Sequence, residues 1–229
     1  MKTITSFFIL AAVTLLLTNQ SAFSQVTPTT PDVNLFCDGT DLVLPTPATG
    51  TQYIVRYSEM PTTTPSNTLT LDDDGVTIPS SELATGYYYV SIEGDATNPE
   101  LCESDMTELP VYKFAPLTVA FTAKDYCIED ASNQSFIGTV TSTDSYDTYT
   151  YQWYTVANDI ETEIEGATTE TYKPSTDVAA GTTTTYRLKA GYRVGELRYC
   201  AAISDVEVTV TAKPTAPTIT IEGSTGETL

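Results

Sequence analysis

Two eight-residue segments, Pro79-Ser-Ser-Glu-Leu-Ala-Thr-Gly86 and Pro174-Ser-Thr-Asp-Val-Ala-Ala-Gly181, carry proline, serine, an acid, an aliphatic residue, alanine and glycine in one order. Such self-similarity predicts one structural module used twice. Each segment leads into an alternating run. Tyr88, Val90 and Ile92 follow the first, and Tyr186, Leu188 and Ala190 follow the second, the latter set interleaved with Arg187 and Lys189. A period of two is what a half-buried strand demands, because successive side chains point to opposite faces. Val206, Val208 and Val210, separated by Glu207 and Thr209, show it most clearly. After residue 24 no stretch has 3.6-residue apolar spacing at helix length, so the chain is predicted to be all-β, built of tandem sandwich modules. Its many threonines and tyrosines suit pleated, half-exposed surfaces.

Residues 1–24 read as a secretory signal peptide: Lys2 gives a positive start, Phe7 to Leu17 an apolar run, and Ala22-Phe23-Ser24 a small-residue cleavage site. That run is shorter than the roughly 20 residues a membrane helix needs. A soluble chain exported to the outside or the cell surface, with no membrane insertion, is therefore expected. Residues 25–32 form a proline-rich linker, 33–114 a first module and 115–213 a second. Residues 214–229 read as a linker and the opening strand of a third. Within the first module Val33, Leu35 and Cys37 share one face, and Tyr53, Val55 and Tyr57 point inward.

The formal charge of −20, from 30 acidic and 10 basic residues, repels phosphate backbones and anionic lipid, so no nucleic acid is expected as a partner. There is no histidine. The usual zinc ligand, catalytic base and Ser-His-Asp triad are thereby absent together. No pair of carboxylates is singled out by a motif, and the expectation is a chain that is not an enzyme.

Four cysteines in an exported chain are read as disulfides. Of the three pairings, Cys37 with Cys102 and Cys127 with Cys200 treats both modules alike, since each first cysteine stands early in its module and each second one precedes the last strand.

Tyr151-Gln-Trp153-Tyr154, the run from Glu165-Gly-Ala-Thr to Tyr172 and Pro174, Thr184-Thr-Tyr186-Arg, and Cys200 followed by Ser204 and the alternating valines resemble the immunoglobulin-like repeats of large secreted and cell-surface proteins of Bacteroidota. The second module carries the resemblance well. The first matches in outline, with Val55 where Trp153 aligns. The turn before Tyr88 and Tyr186 resembles the tyrosine corner of immunoglobulin domains. Val90 and Leu188 stand two residues later, where an antibody domain has its second cysteine. Such repeats are mostly stalks and adhesive segments, and that role is what the resemblance implies.

Trp153, Tyr88 and Tyr186 are expected core anchors. Tyr87, Tyr89 and Tyr154 lie on outer faces and are candidate contacts for an extracellular protein or glycan. Asp72, Asp73 and Asp74, before Gly75, are candidate oxygen ligands for Ca²⁺, with no other cofactor indicated; an acidic hairpin turn accounts for them equally. Glu161, Glu163 and Glu165 fit a charged edge strand. The function expected is a non-enzymatic structural and adhesive segment of a multi-module protein, whose partners include other modules of the same chain. Two alternatives are a carbohydrate-binding or spacer arm of a secreted enzyme, and a filament subunit that donates its last strand.

Overall fold

The structure is a computed structural model that describes residues 25–219. Residues 1–24, read as a signal peptide, and residues 220–229 of the predicted third-module strand lie outside the described residues.

Strand begins where the alternation does. The N-terminal half contains β1 (Asn34–Phe36), β2 (Leu42–Val43), β3 (Thr51–Ser58), β4 (Asn67–Leu69), β5 (Thr77–Ile78), β6 (Gly86–Gly94) and β7 (Thr107–Lys113). Five of them form a sheet in the order β1-β7-β6-β3-β4, faced by the pair β2-β5. The C-terminal half contains β8 (Leu117–Thr122), β9 (Tyr126–Cys127), a 3-10 helix at Ile128–Asn133, β10 (Phe136–Ser142), β11 (Tyr149–Ala157), β12 (Ile160–Glu163), β13 (Thr171–Tyr172), β14 (Thr183–Val194) and β15 (Leu197–Thr211). Its sheets run β12-β11-β14-β15-β9 and β13-β10-β8. The two halves follow one plan. In each, a short early strand runs parallel to the last strand, β1 along β7 and β9 along β15, and the other pairings are antiparallel. These are immunoglobulin-like β-sandwiches.

Each sandwich has its own core. The first gathers Leu42, Val55, Ile78, Leu83, Tyr88 and Val111, with Tyr53, Tyr57 and Val90 against them. The second gathers Phe121, Phe136, Trp153, Tyr186, Leu188 and Val208. Trp153, Tyr88 and Leu188 are fully buried. The Trp153 indole N–H donates to the Thr169 carbonyl at 2.9 Å, and its backbone N–H donates to Ala167. The turn through Gly166 that the sequence places after β12 thus folds back to cap the tryptophan. At Tyr88 the corner is formed: its hydroxyl donates to the Ala84 carbonyl at 3.0 Å and accepts from the Ala84 N–H at 2.9 Å. Glu161 and Glu163 lie on β12, an exposed edge strand.

Residues 214–219 are exposed and form no strand. The segment 25–32, read as a proline-rich linker, does more than link. Val26 is 2% exposed and packs between the two sandwiches.

Candidate functional site

The third apolar cluster of the molecule belongs to neither sandwich core. It joins Val26, Tyr87, Tyr89, Tyr112 and Phe114 from the N-terminal half to Tyr192 from the other, with Val33, Leu35, Tyr146, Tyr149 and Tyr199 around them. Phe114 is its plug. It stands just past the end of β7, held by a bond from its own N–H to the Phe36 carbonyl at 2.9 Å, and is fully buried. Its ring stacks on Tyr192 with centroids 4.5 Å apart and meets Tyr112 edge-on at 5.1 Å. Aromatic pairs in these geometries add to the energy of simple burial.

A polar hub closes the junction beside the rings. The Asp144 carboxylate accepts from the Tyr112 hydroxyl at 2.5 Å, from the Ala115 N–H at 2.7 Å and from the Tyr146 N–H at 2.9 Å. One side chain of the second sandwich thereby holds the first sandwich and the connection between them. The Tyr192 hydroxyl donates to the Ala115 carbonyl at 2.8 Å and also bonds Ser142. Burial first, and the Asp144 carboxylate second, push the Tyr112 phenol above its ordinary range. Charge on that oxygen would be both dehydrated and repelled.

A disulfide between Cys37 and Cys200, Cα atoms 5.3 Å apart, locks the same junction. This corrects the expected pairs Cys37–Cys102 and Cys127–Cys200, because Cys102 and Cys127 are free. The reason is strand polarity. Cys37 follows the pair Phe36–Lys113 at the end of β7, whereas Cys102 precedes the start of β7 at Thr107; the strand between spans roughly 20 Å. Cys127 lies opposite Thr211, and the strand from Cys200 to Thr211 extends about 36 Å. Bridged cysteines need Cα atoms within about 7 Å.

A β-bulge aims Cys200 at its partner. Ala190 pairs with Ala202 and Tyr192 with Tyr199, so Gly191 alone faces both Cys200 and Ala201. Cys200 takes a left-handed φ of +53° there. A Cβ on Gly191 would lie 2.5 Å from the Tyr199 carbonyl oxygen, which is why glycine stands opposite the extra residue.

The other candidates fall as follows. Tyr87 and Tyr89 do lie on the outer face of β6, but they are 8% and 4% exposed, which corrects their reading as contact residues. Both belong to the junction cluster, and the loop after β3 covers Tyr89, whose hydroxyl accepts from the Thr62 N–H at 2.7 Å. Tyr154 is half-buried under the Lys189 ammonium, 5.0 Å from the ring centre. Asp74 is engaged within its own loop: it accepts from the Val76 and Thr77 N–H groups and from the Thr77 hydroxyl, bonds that hold its carboxyl below the usual range. Among the described residues no group of three such ligands is placed to hold a metal ion. Trp153, Tyr88 and Tyr186 occupy the cores.

Each outer sheet face also carries an arginine network that the sequence did not flag. Arg56 bonds both carboxylate oxygens of Glu103, one at 3.0 Å, and Ser91 donates to Glu103 at 2.5 Å, so the Glu103 carboxyl is held down to about 2. Arg187 binds Asp205 through two nitrogens and Glu161 through a third, and Lys189 also reaches Glu161. These pairs order surface loops and edges; none opens onto an enclosed cleft.

No family profile and no curated protein matches this chain. Solved structures do resemble it. Fibronectin(III)-like modules of Clostridium thermocellum CbhA are 15% identical over 80% of this chain and 93% of theirs, with a TM-score of 0.35. The amphioxus IgVJ-C2 molecule is 18% identical over 77% of this chain and all of its own, at 0.31. A marsupial T cell receptor is 13% identical over 81% and 73%, at 0.35. The likeness carries nothing beyond the sandwich architecture that the strand order already gives.

Proposed function

We propose that this chain is a non-enzymatic structural and adhesive segment of a secreted or cell-surface multi-module protein, of the kind its sequence resembles in Bacteroidota. The junction supports this reading. A plug of stacked rings, a carboxylate that bonds both halves and a covalent bridge make the two sandwiches one strut. A hinge between domains exposes a small polar interface; this one buries aromatic surface, as permanent interfaces do. A fixed strut holds whatever lies beyond it at a set distance and angle.

Small-angle X-ray scattering of the exported chain tests the strut. One elongated particle with the same radius of gyration at low and high salt is expected, and a broad distribution of shapes overturns the reading. A glycan array addresses the adhesive part. Tight, selective binding to one polysaccharide would favour a carbohydrate-binding arm of an enzyme instead.

A further inference from the structure

Arg193 and Arg198 stand directly opposite each other in the hairpin of β14 and β15, so their side chains share a face. Like charges so placed repel, and a chain of 30 acidic and 10 basic residues has little need to put two cations together. One acid stands beside them. Glu196, on the turn, accepts from the Arg193 guanidinium at 3.4 Å, while the Arg193 Nε donates to the Gly195 carbonyl at 3.1 Å. Arg198 has no such neighbour: among the described residues it is the arginine without an ion pair. Its half-buried stem lies across Gly191, where a Cβ would come within 2.9 Å of the Arg198 Cγ. Gly191 pairs in turn with Thr150 on β11. The Arg198 Nε is buried along this path and has no hydrogen-bond partner. A cation taken out of water without an acceptor is costly to keep.

Both arginines line a cavity of about 370 Å³, together with Glu196, Thr150 and Thr168 from the turn that caps Trp153. That volume is within the range of small-molecule sites. Every lining residue is polar, whereas the centre of a protein interface is apolar, so the lining suits a small ligand rich in hydroxyl groups. Two guanidinium groups and one carboxylate leave the cavity one net positive charge. The chain as a whole, at −20, repels polyanions, so a single negative charge is what this place accepts.

We infer that the cavity binds a small sugar acid, one carboxylate on a hydroxylated carbon skeleton. The Arg198 guanidinium takes the carboxylate, whose planar pair of oxygens matches its fork of donors, and Arg193 adds a second positive charge. Thr150 and Thr168 meet the sugar hydroxyls, since hydroxyls on both sides can donate and accept. Packing of the Arg198 stem over Gly191 holds the cation in place beforehand, so little freedom is lost on binding. A ligand of about 13 heavy atoms at ordinary efficiency binds in roughly the millimolar range. The affinity is that of a single sugar unit, far from tight capture of a polysaccharide.

The test titrates the exported full chain, isotopically labelled at its arginine nitrogens, with glucuronate and follows the arginine Nε–H resonances by NMR. The Arg198 resonance should shift and saturate, while those of Arg56 and Arg187 stay in place. Saturation transfer to the glucuronate ring protons measures binding in the variants. Arg198→Gln should weaken it by about tenfold or more, and Thr150→Ala and Thr168→Ala should each weaken it about threefold while leaving acetate unchanged. Unaltered circular dichroism shows that the variants fold. No shift of Arg198 at tens of times the expected concentration overturns the inference, and so does glucose binding as well as glucuronate. Acetate or sulfate acting as strongly as glucuronate means an adventitious ion only, and N-acetylglutamate doing so assigns the cavity to acidic protein side chains; either result overturns it. The inference goes beyond the strut reading, and the two fail separately, because scattering decides rigidity whatever the titration gives.

Discussion

Phe114→Ala removes a fully buried ring from the junction and from neither core. A phenylalanine buries roughly 150–250 Å². At about 25 cal/mol per Å², with the cavity left behind, the loss is about 3–5 kcal/mol. The backbone bond from residue 114 to Phe36 and the Cys37–Cys200 bridge both survive the substitution. The loss therefore falls on the coupling between sandwiches. Trp153 is the single tryptophan and lies in the second core, so its fluorescence follows that sandwich while far-ultraviolet circular dichroism follows both. In wild type the two signals should melt together. In Phe114→Ala they should separate, with the earlier transition lowered on the order of 10 °C for a chain of this size. A shift worth less than about 1 kcal/mol, with both signals still coincident, would refute the junction as a bearing contact.

Asp144→Asn places an amide donor against the N–H of Ala115 or the hydroxyl of Tyr112, so stability in urea should fall by about 1–3 kcal/mol, and the Tyr112 phenol should ionise at lower pH than in wild type. Trp153→Ala empties the second core and orphans the Thr169 carbonyl; about 3–5 kcal/mol should be lost in urea, and a loss under 1 would contradict its burial. Burial raises Tyr88 and Tyr186 to about 12, whereas in the unfolded chain they ionise near 10. Their contribution is intact below pH 10 and is lost as pH rises from 10 to 12, so guanidinium midpoints should fall across that window as phenolate absorbance grows; flat midpoints would argue against it.

Strand positions were legible because alternation is local. The inward set Tyr53, Val55 and Tyr57, the buried Trp153 and the corner at Tyr88 all follow from it. The face shared by Val33, Leu35 and Cys37 was also visible in the sequence, but what that face meets was not. Two identical-looking modules suggest closed, self-contained pairs of cysteines. Only the direction of β7 and β15 reveals that the partners within each module lie at opposite ends. Tyr87 and Tyr89 failed for a related reason: a period of two tells which face a residue takes, not whether another sandwich or a loop lies over it. The one sequence hint of the bulge is Gly191, a glycine inside an otherwise continuous strand pattern.

The position of the bridge also fixes how the molecule bears tension. Pull on the two ends of the folded segment, and force entering at residue 25 travels along the backbone only to Cys37. There it crosses the sulfur bridge to Cys200 and leaves along β15. The chain between those cysteines, set by a sequence separation of 163, lies outside the load path. The first core need not resist the pull, the second meets it only through β15, whose Val208 and Val210 it holds, and the segment stretches no further than two short runs of backbone allow. With bridges closed inside each sandwich, the connection at Phe114 to Pro116 would have carried the whole load. As built, most of the protein is shielded from the force that it transmits.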